Sequence, residues 1–230
     1  MHKFSLIIPV YNECNNINNL YNEISASRSY EYLNNIIFID DASTDNSLDI
    51  LNKISLQDKK VTVLKHQLNK GQSQSIKTGI DFSIDKYIIT IDGDGQNDPK
   101  DIINLIRVLE NDQTISLIGG LRINRKDNII KKFTSKIANQ IRRILLDDDC
   151  IDTGCALKIF DREVFLKFPF FNGIHRFLPA LFKGSGAKCY FINVSHRPRI
   201  QGKSNYGTLD RLFVGIRDIF RVKKILNKKQ

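Results

Sequence analysis

Residues 88–99 read IITIDGDGQNDP: an apolar run that ends in two aspartates one residue apart and then turns polar. A calcium loop opening at Asp92 needs Gly at its sixth position and Glu at its twelfth, where this chain has Asn97 and Ile103. A dehalogenase-type phosphatase also ends a strand in Asp-x-Asp. Its fifth motif residue is usually Thr or Val and its strand usually comes first, whereas here that position is Gln96 and earlier apolar runs precede it. Two readings remain. One is a turn in which Asp and Asn side chains bond nearby amides. The other is a divalent-metal site: alternation puts Asp92 and Asp94 on one side of the chain, and two hard oxygen donors suit Mg2+ or Mn2+ bound with a substrate diphosphate.

The 230 residues, 41% of them hydrophobic, suffice to bury a core as one domain or as one domain with a small appendage. Cys14, Cys150, Cys155 and Cys189 form no CxxC pair and match no zinc spacing, so they read as reduced thiols of a cytosolic protein. The opening MHKFSLIIPVYNE reaches polar residues too soon for a signal peptide, and no apolar run approaches the roughly 18 residues of a spanning helix. The net charge of +10 is unevenly spread. Residues 1–119 carry 11 Lys/Arg against 16 Asp/Glu, and residues 120–230 carry 24 against 9. Such a basic half suits nucleic acid, an anionic membrane surface or a phosphate-bearing substrate. No helix-turn-helix or RNA-binding signature and no interleaved aromatic platform appears, which argues against nucleic acid.

The first half alternates short apolar runs with amphipathic segments: FSLIIPV, NIIFIDD, VTVLKH and YIITIDGD. This is the pattern of a mostly parallel sheet, and runs rich in Ile and Val with little alternation imply burial on both faces. Each run ends in polar residues: YNE, DDASTD, LNKG and DGDGQ. In open parallel sheets the ligand crevice lies at those carboxyl ends, so these loops converge on one site and favour the metal reading over the turn. Asp41 and Asp45 read as turn and helix-cap residues. Residues 129–145 place Ile130, Phe133, Ile137, Ile141 and Ile144 at helical spacing, with Lys131, Lys132, Lys136, Arg142 and Arg143 on other faces. The stretch 208–230 repeats the scheme, with Leu209, Leu212, Phe213, Ile216, Ile219 and Phe220 as its stripe and a Lys-rich end. Each is either an ordinary packed helix or a membrane-surface element.

PVYNE at 9–13, DDASTD at 40–45, Lys70-Gly71 and Asp92-Gly93-Asp94 occur in that order, followed by Gly120-Leu121-Arg122, DTG at 152–154 and RIQGKSNYG at 199–207. The ordered set resembles the family 2 glycosyltransferases with the GT-A fold, in particular the polyprenyl-phosphate branch that includes dolichol-phosphate mannosyltransferase. The resemblance spans residues 4 to about 208. It implies a GT-A domain over 1–207, with 1–119 binding nucleotide-sugar and 120–207 binding acceptor, and a basic amphipathic C-terminal helix over 208–230.

The resemblance also implies roles. Pro9, Tyr11, Glu13, Asp40 and Gly93 line the nucleotide-sugar pocket. Asp92, Asp94 and Gln96 hold Mg2+ or Mn2+ against the diphosphate, with Asp94 counted among the catalytic residues. Arg122, Lys131, Ser135 and Arg199 contact the acceptor phosphate; many relatives carry Arg where this chain has Lys131, and Lys where it has Asn205. Asp152 matches a proposed base or orienting carboxylate, beside the alternative of a buried turn residue. His175 and His196 lack the partner spacing of a metal site. The activity implied is inverting, metal-dependent transfer of a hexose from a GDP- or UDP-sugar to a polyprenyl phosphate at the cytoplasmic membrane face. An anionic membrane surface is the implied partner, with a separate small membrane protein as a further candidate. The alternative acceptor is a lipopolysaccharide or capsular glycan hydroxyl, for which a general base becomes necessary.

Overall fold

The computed structural model of the protein describes residues 2–123, 142, 145–198 and 208–227, with side chains in the last stretch described at 215 and from 217 onward. Seven strands form one sheet: β1 (Phe4–Val10), β2 (Leu33–Asp40), β3 (Val61–Lys65), β4 (Tyr87–Thr90), β5 (Ile115–Arg122), β6 (Lys158–Asp161) and β7 (Lys188–Val194). Their spatial order is β3-β2-β1-β4-β6-β5-β7. Among the described residues the helices are α1 (Ile17–Ser25), α2 (Ser47–Gln57), α3 (Gln72–Phe82), α4 (Ile102–Asn111), α5 (Arg162–Leu166), α6 (Leu178–Gly184) and α7 (Thr208–Asn227).

The expected mostly parallel sheet is observed. β1 pairs in parallel with β2 and β4, β2 with β3, and β5 with β7. The Ile-rich runs are buried on both faces because helices cover both. Phe4, Leu6 and Ile8 of β1 face a core shared with Leu20, Ile24, Leu51, Leu105 and Leu109, while Ile7 faces a second core with Ile76, Ile80, Leu181, Ile219 and Val222. α4 owes its position to Ile102, Leu105, Ile106 and Leu109, one apolar face at helical spacing.

The parallel arrangement has one interruption. β6 enters antiparallel between β4 and β5, pairing Thr90 with Lys158 and Gly119 with Lys158. Its amino end therefore lies at the edge where β1, β2, β3, β4 and β5 have their carboxyl ends. Arg122 at the end of β5 and the chain leaving β7 reach the same edge.

The C-terminal stretch is helical as expected, but its faces differ in part from the expected stripe. Ile219 and Val222 are buried against the second core, and Leu226 lies against Gly184, whereas Phe220 is 62% exposed. A helix docked through one narrow face leaves the neighbouring positions of its stripe in solvent. The segment 129–145 lies outside the described residues except for Arg142 and Leu145. Arg142, expected on a solvated face, is 4% exposed; it bonds Asp148 at 3.0 Å and the Cys150 carbonyl. No helix among the described residues is long and apolar enough to cross a membrane.

α3 sits close to the sheet because it carries Gly79 where a Cβ would stand 2.8 Å from Ile7 Cγ2 and 3.0 Å from Ile39 Cδ1. Ala has the higher intrinsic helix propensity, by up to about 1 kcal/mol, but overpacking costs about 1–3 kcal/mol. Gly79→Ala is therefore expected to lower stability by about 1 kcal/mol in urea unfolding. A variant as stable as the parent would mean that α3 is not pressed on β1 and β2.

Candidate active site

Two loops at the carboxyl edge are stitched together by polar side chains. Asn12 accepts from Thr44 N at 2.8 Å, and Ser43 Oγ accepts from Asn12 N at 3.0 Å. Ser47 Oγ accepts from Glu13 N at 2.9 Å, and Asp45 accepts from Cys14 N at 3.2 Å and Ser47 N at 2.9 Å. Asn12 and Ala42 take positive φ, 57° and 60°; for Ala this is a strained conformation that the stitching holds. Asp41 anchors a third loop. Its oxygens accept from Lys70 N at 2.9 Å and Gly71 N at 2.7 Å, and one lies 2.6 Å from His66 Nδ1. Asp41 and Asp45 thus act on backbone, while Lys70 contributes its amide to this network.

Asp40 behaves differently. It is fully buried at the end of β2, and Oδ2 accepts only a 3.3 Å bond from Ser43 N. Oδ1 is buried with no partner among the described residues. A buried carboxylate oxygen left unbonded is costly, and an N–H or hydroxyl of a bound ligand would satisfy it.

The Asp92-Gly93-Asp94 turn follows β4. Gly93 is there because a Cβ would lie 2.9 Å from the Pro9 carbonyl and 3.9 Å from Glu13 Cγ. The missing side chain lets the turn close onto the end of β1. Asp92 Oδ1 accepts from Gln72 Nε2, at the start of α3, at 2.6 Å, and Asp94 Oδ1 accepts from Gln96 N at 3.1 Å. Asp92 retains some exposed surface, yet its carboxyl is pushed up to about 7, first by burial and then by the charge of Asp94. Lys158 and Arg122 pull it back down, and Glu13 adds to the upward push. These influences bring Asp92, Asp94, Glu13, Arg122 and Lys158 into one electrostatic neighbourhood.

A pair of adjacent carboxylates, one reluctant to ionise unaided, is a donor set that a divalent cation relieves. No group of three or more His, Cys, Asp and Glu side chains forms a metal cage among the described residues. The Gln96 amide, named as a third ligand, donates to the Arg197 carbonyl at 3.3 Å through Nε2, so only Oε1 would face a metal. Asp92 and Asp94 fit the cation; its other ligands would be an amide, water or the diphosphate itself.

Arg122 and Asp152 form a fork. Arg122 Nε donates to Oδ2 and a terminal nitrogen to Oδ1, both at 2.7 Å, and the Arg122 amide adds a 3.2 Å bond to Oδ2. Burial works against the Arg122 cation, and Asp152 more than offsets it, so the guanidinium's pKa is raised. Gly154 makes room, since a Cβ there would stand 2.8 Å from that terminal nitrogen. Beneath lies Lys158, 4% exposed, donating to the Cys155 carbonyl.

Of the expected residues, Pro9, Glu13, Gly93, Asp92, Asp94, Gln96, Arg122 and Asp152 come together, with Tyr11 just past the end of β1 and Asp40 at the end of β2. Lys131, Ser135 and Arg199 lie outside the described residues. Sequence reasoning missed Gln72, Lys158 and Arg197. Arg197 pairs with Glu23 at 2.7 Å and Asp98 at 2.6 Å, and its amide donates to the Gln96 carbonyl at 2.9 Å. It thereby clamps the segment leaving β7 against the Asp92–Asp94 turn. No motif marks Gln72 and Arg197, because their partners lie 20 to 174 positions away in the chain; Lys158 bonds the nearby Cys155 carbonyl, and it is the antiparallel entry of β6 that carries it to the site.

A paired-carboxylate turn at the carboxyl edge of a mostly parallel sheet, with one antiparallel strand beside it, defines the class: a fold of the GT-A type. The comparisons carry this to a family. The glycosyl transferase family 2 signature matches residues 5–168, and the chain belongs to that family. It is 32% identical over 225 residues to the dodecaprenyl-phosphate galacturonate synthase of Rhizobium johnstonii, covering 96% of this chain and 66% of that one. It is 30% identical over 208 residues to the undecaprenyl-phosphate 4-deoxy-4-formamido-L-arabinose transferase of Shewanella sediminis, covering 90% and 62%. The chain thus spans just under two thirds of these relatives' length. In structure it is similar to the glucosyl-3-phosphoglycerate synthase of Mycobacterium tuberculosis in complex with Mn2+, UDP and glucosyl-3-phosphoglycerate, with TM-score 0.70, 15% identity, and 96% and 78% coverage. It is also similar to a mannosyltransferase of Pyrobaculum calidifontis in complex with GDP-Man and Mn2+, with TM-score 0.67, 16% identity, and 98% and 68% coverage.

The raised Asp92 carboxyl has a sign that is testable. In the folded protein it holds its proton more tightly than in the unfolded chain, so it contributes stability at low pH that is lost as pH rises from about 4 to about 7. Asp92→Asn is expected to raise the stability of the metal-free protein at pH 8 by about 1–3 kcal/mol and to leave it unchanged at pH 3. Urea unfolding at the two pH values checks this, and a lower stability at pH 8 would contradict a strained carboxylate.

Proposed function

We propose that the chain is an inverting hexosyltransferase that moves a sugar from a UDP- or GDP-linked donor to a polyprenyl phosphate, working at the cytoplasmic face of a membrane. The single observation that carries the choice of acceptor is the Arg122–Asp152 fork. A glycan hydroxyl must lose a proton to become a nucleophile, and Asp152 was the candidate base. With both oxygens held by one guanidinium at 2.7 Å, it is stabilised as a carboxylate and occupied. A lipid phosphate arrives ionised and needs positioning rather than deprotonation, which suits cations: Arg122, Lys158 and the basic second half of the chain. The names of the sequence relatives, which are polyprenyl-phosphate sugar transferases, support the same choice.

In this reading a phosphate oxygen of the acceptor attacks the anomeric carbon as its bond to the diphosphate breaks, and the nucleoside diphosphate leaves. Inversion follows from a single displacement. Pro9, Tyr11 and Glu13 line the nucleotide pocket, with Asp40 Oδ1 accepting from base or ribose. Asp92 and Asp94, with Gln96, hold Mg2+ or Mn2+, which supplies Lewis-acid neutralisation of the departing diphosphate. Asp152 orients Arg122 toward the acceptor phosphate, joined from outside the described residues by Lys131, Ser135 and Arg199. At the membrane, α7 supplies an exposed Phe220 among exposed Arg217, Arg221, Lys223 and Lys224, an aromatic anchor within a basic surface.

Two measurements test the reading. A panel of UDP- and GDP-sugars with undecaprenyl and dolichyl phosphate should give a lipid-linked product from one pairing, abolished by EDTA and by Asp94→Ala. Product only on a glycan hydroxyl would favour the rival acceptor. Binding to anionic vesicles should be salt-sensitive, with each Lys or Arg worth about 1 kcal/mol near the surface. Phe220→Ser with Lys223→Gln and Lys224→Gln should weaken it. Equal recovery with neutral and anionic vesicles at low salt would reject the surface role and leave α7 to packing or to a separate membrane protein.

A further inference from the structure

His175 lies on a short 3-10 turn, Ile174–Arg176, far from every motif that marks the site. The fold brings it to the first turn of α3, where consecutive residues face the two groups: Gln72 donates to Asp92 at 2.6 Å, and Ser73 Oγ lies 2.6 Å from His175 Nδ1. Ser73 Oγ also accepts from Gly173 N at 2.7 Å. No other described acceptor takes the Ser73 proton, which assigns it to His175 Nδ1 and leaves the ring proton on Nε2. That N–H has no acceptor among the described residues, and the side chain is only partly buried.

The surroundings keep the ring neutral. Burial, then Arg176 on the same turn and Lys158 from β6, push its pKa down to about 3. Arg176 is itself fixed by α7, where the wholly buried Asp218 accepts from it at 2.9 Å. The imidazole thus has the neutral Ser73 hydroxyl from α3 as its bonding partner and the cations Arg176 and Lys158 as its charged influences, with Asp218 turned to Arg176 and Asp92 bonded by Gln72. A neutral N–H donor in a positive pocket is matched to an anionic oxygen, and it is no base at neutral pH.

Resting on the polyprenyl-phosphate reading, we infer that His175 contacts substrate in this enzyme, its Nε2–H donating to a phosphate oxygen of the acceptor, with Ser73 as the positioning residue that sets the tautomer. The donor diphosphate already has Asp92, Asp94 and their cation, so the unclaimed N–H falls to the acceptor. Phosphate chemistry is common to both substrates, and the test separates them.

The test uses the full chain, undecaprenyl phosphate and the nucleotide-sugar that the panel selects, with Mn2+-UDP and Mn2+-GDP binding followed by calorimetry. His175→Leu should raise the KM for undecaprenyl phosphate by about tenfold or more while nucleotide affinity stays within about twofold. His175→Gln, whose amide can replace the Nε2–H, should recover most of the loss. Ser73→Ala should fall between them. In the wild type, imidazole nitrogen shifts assigned by difference with His175→Gln should report an Nε2–H ring unchanged from pH 8 to pH 5. If the Leu variant does not fold, the Gln and Ser73→Ala kinetics and these shifts decide. Wild-type acceptor kinetics in His175→Leu or, failing that variant, in Ser73→Ala overturn the inference. A parallel loss of nucleotide affinity overturns it in favour of the donor phosphates, and an Nδ1–H ring removes its basis. A wild type that forms no lipid-linked sugar from any donor defeats the acceptor reading itself, whereas wild-type turnover indifferent to His175 defeats this inference alone.

Discussion

Asp92 stands next to another carboxylate at the end of a buried strand, where burial and Asp94 together resist its ionisation. The rest of the site is arranged around that arrangement of like charges. Gly93 removes the one side chain that would hold the turn off β1, Gln72 fixes one oxygen from the start of α3, and Lys158 and Arg122 bring positive charge from β6 and β5. A pair of carboxylates held this way is unfavourable in isolation and becomes favourable when a cation binds, and it is kept because the surrounding sheet is stable enough to impose it.

The cations next to this pair are not free agents. Arg122 is locked to Asp152, Arg176 to Asp218, and Arg197 to Glu23 and Asp98. Each tie is partly buried, where breaking one partner leaves the other charge stranded. Such ties do more for geometry than for stability. Arg197 sets the segment leaving β7 against the Asp92–Asp94 turn, Asp152 fixes the Arg122 guanidinium, and Asp218 joins α7 to the turn that carries His175. The C-terminal helix, which offers an exposed basic surface, is thereby linked by a short series of contacts to the carboxyl edge of the sheet.

The mostly parallel first half was legible because each strand is a local apolar run with its own polar terminus, and such runs are read without knowing what they pair with. The Asp92–Asp94 turn was legible for the same reason, as was Asp45, which bonds the Ser47 amide two residues on; Asp41, read as a turn or cap residue, instead holds the Lys70 and Gly71 amides of a distant loop. The antiparallel entry of β6 was not, since KIFD is four residues without a pattern that states its direction. Arg142 was read as solvated from its place on a helical wheel, and it is buried because Asp148 and the Cys150 carbonyl lie beside it after a turn that periodicity does not describe.

By itself the sequence determined the family, the paired carboxylates, the alternation of strand and helix, and the excess of positive charge in the second half. These are properties of neighbouring residues and of ordered motifs, and they survive without coordinates. Tertiary structure alone decided that Asp152 is engaged by Arg122, that Lys158 lies buried within the electrostatic reach of Asp92, and that His175 meets Ser73, the neighbour on α3 of the Gln72 that holds Asp92. Each depends on residues brought together from distant parts of the chain, where an interaction energy set by a few ångströms of separation has no counterpart in sequence spacing.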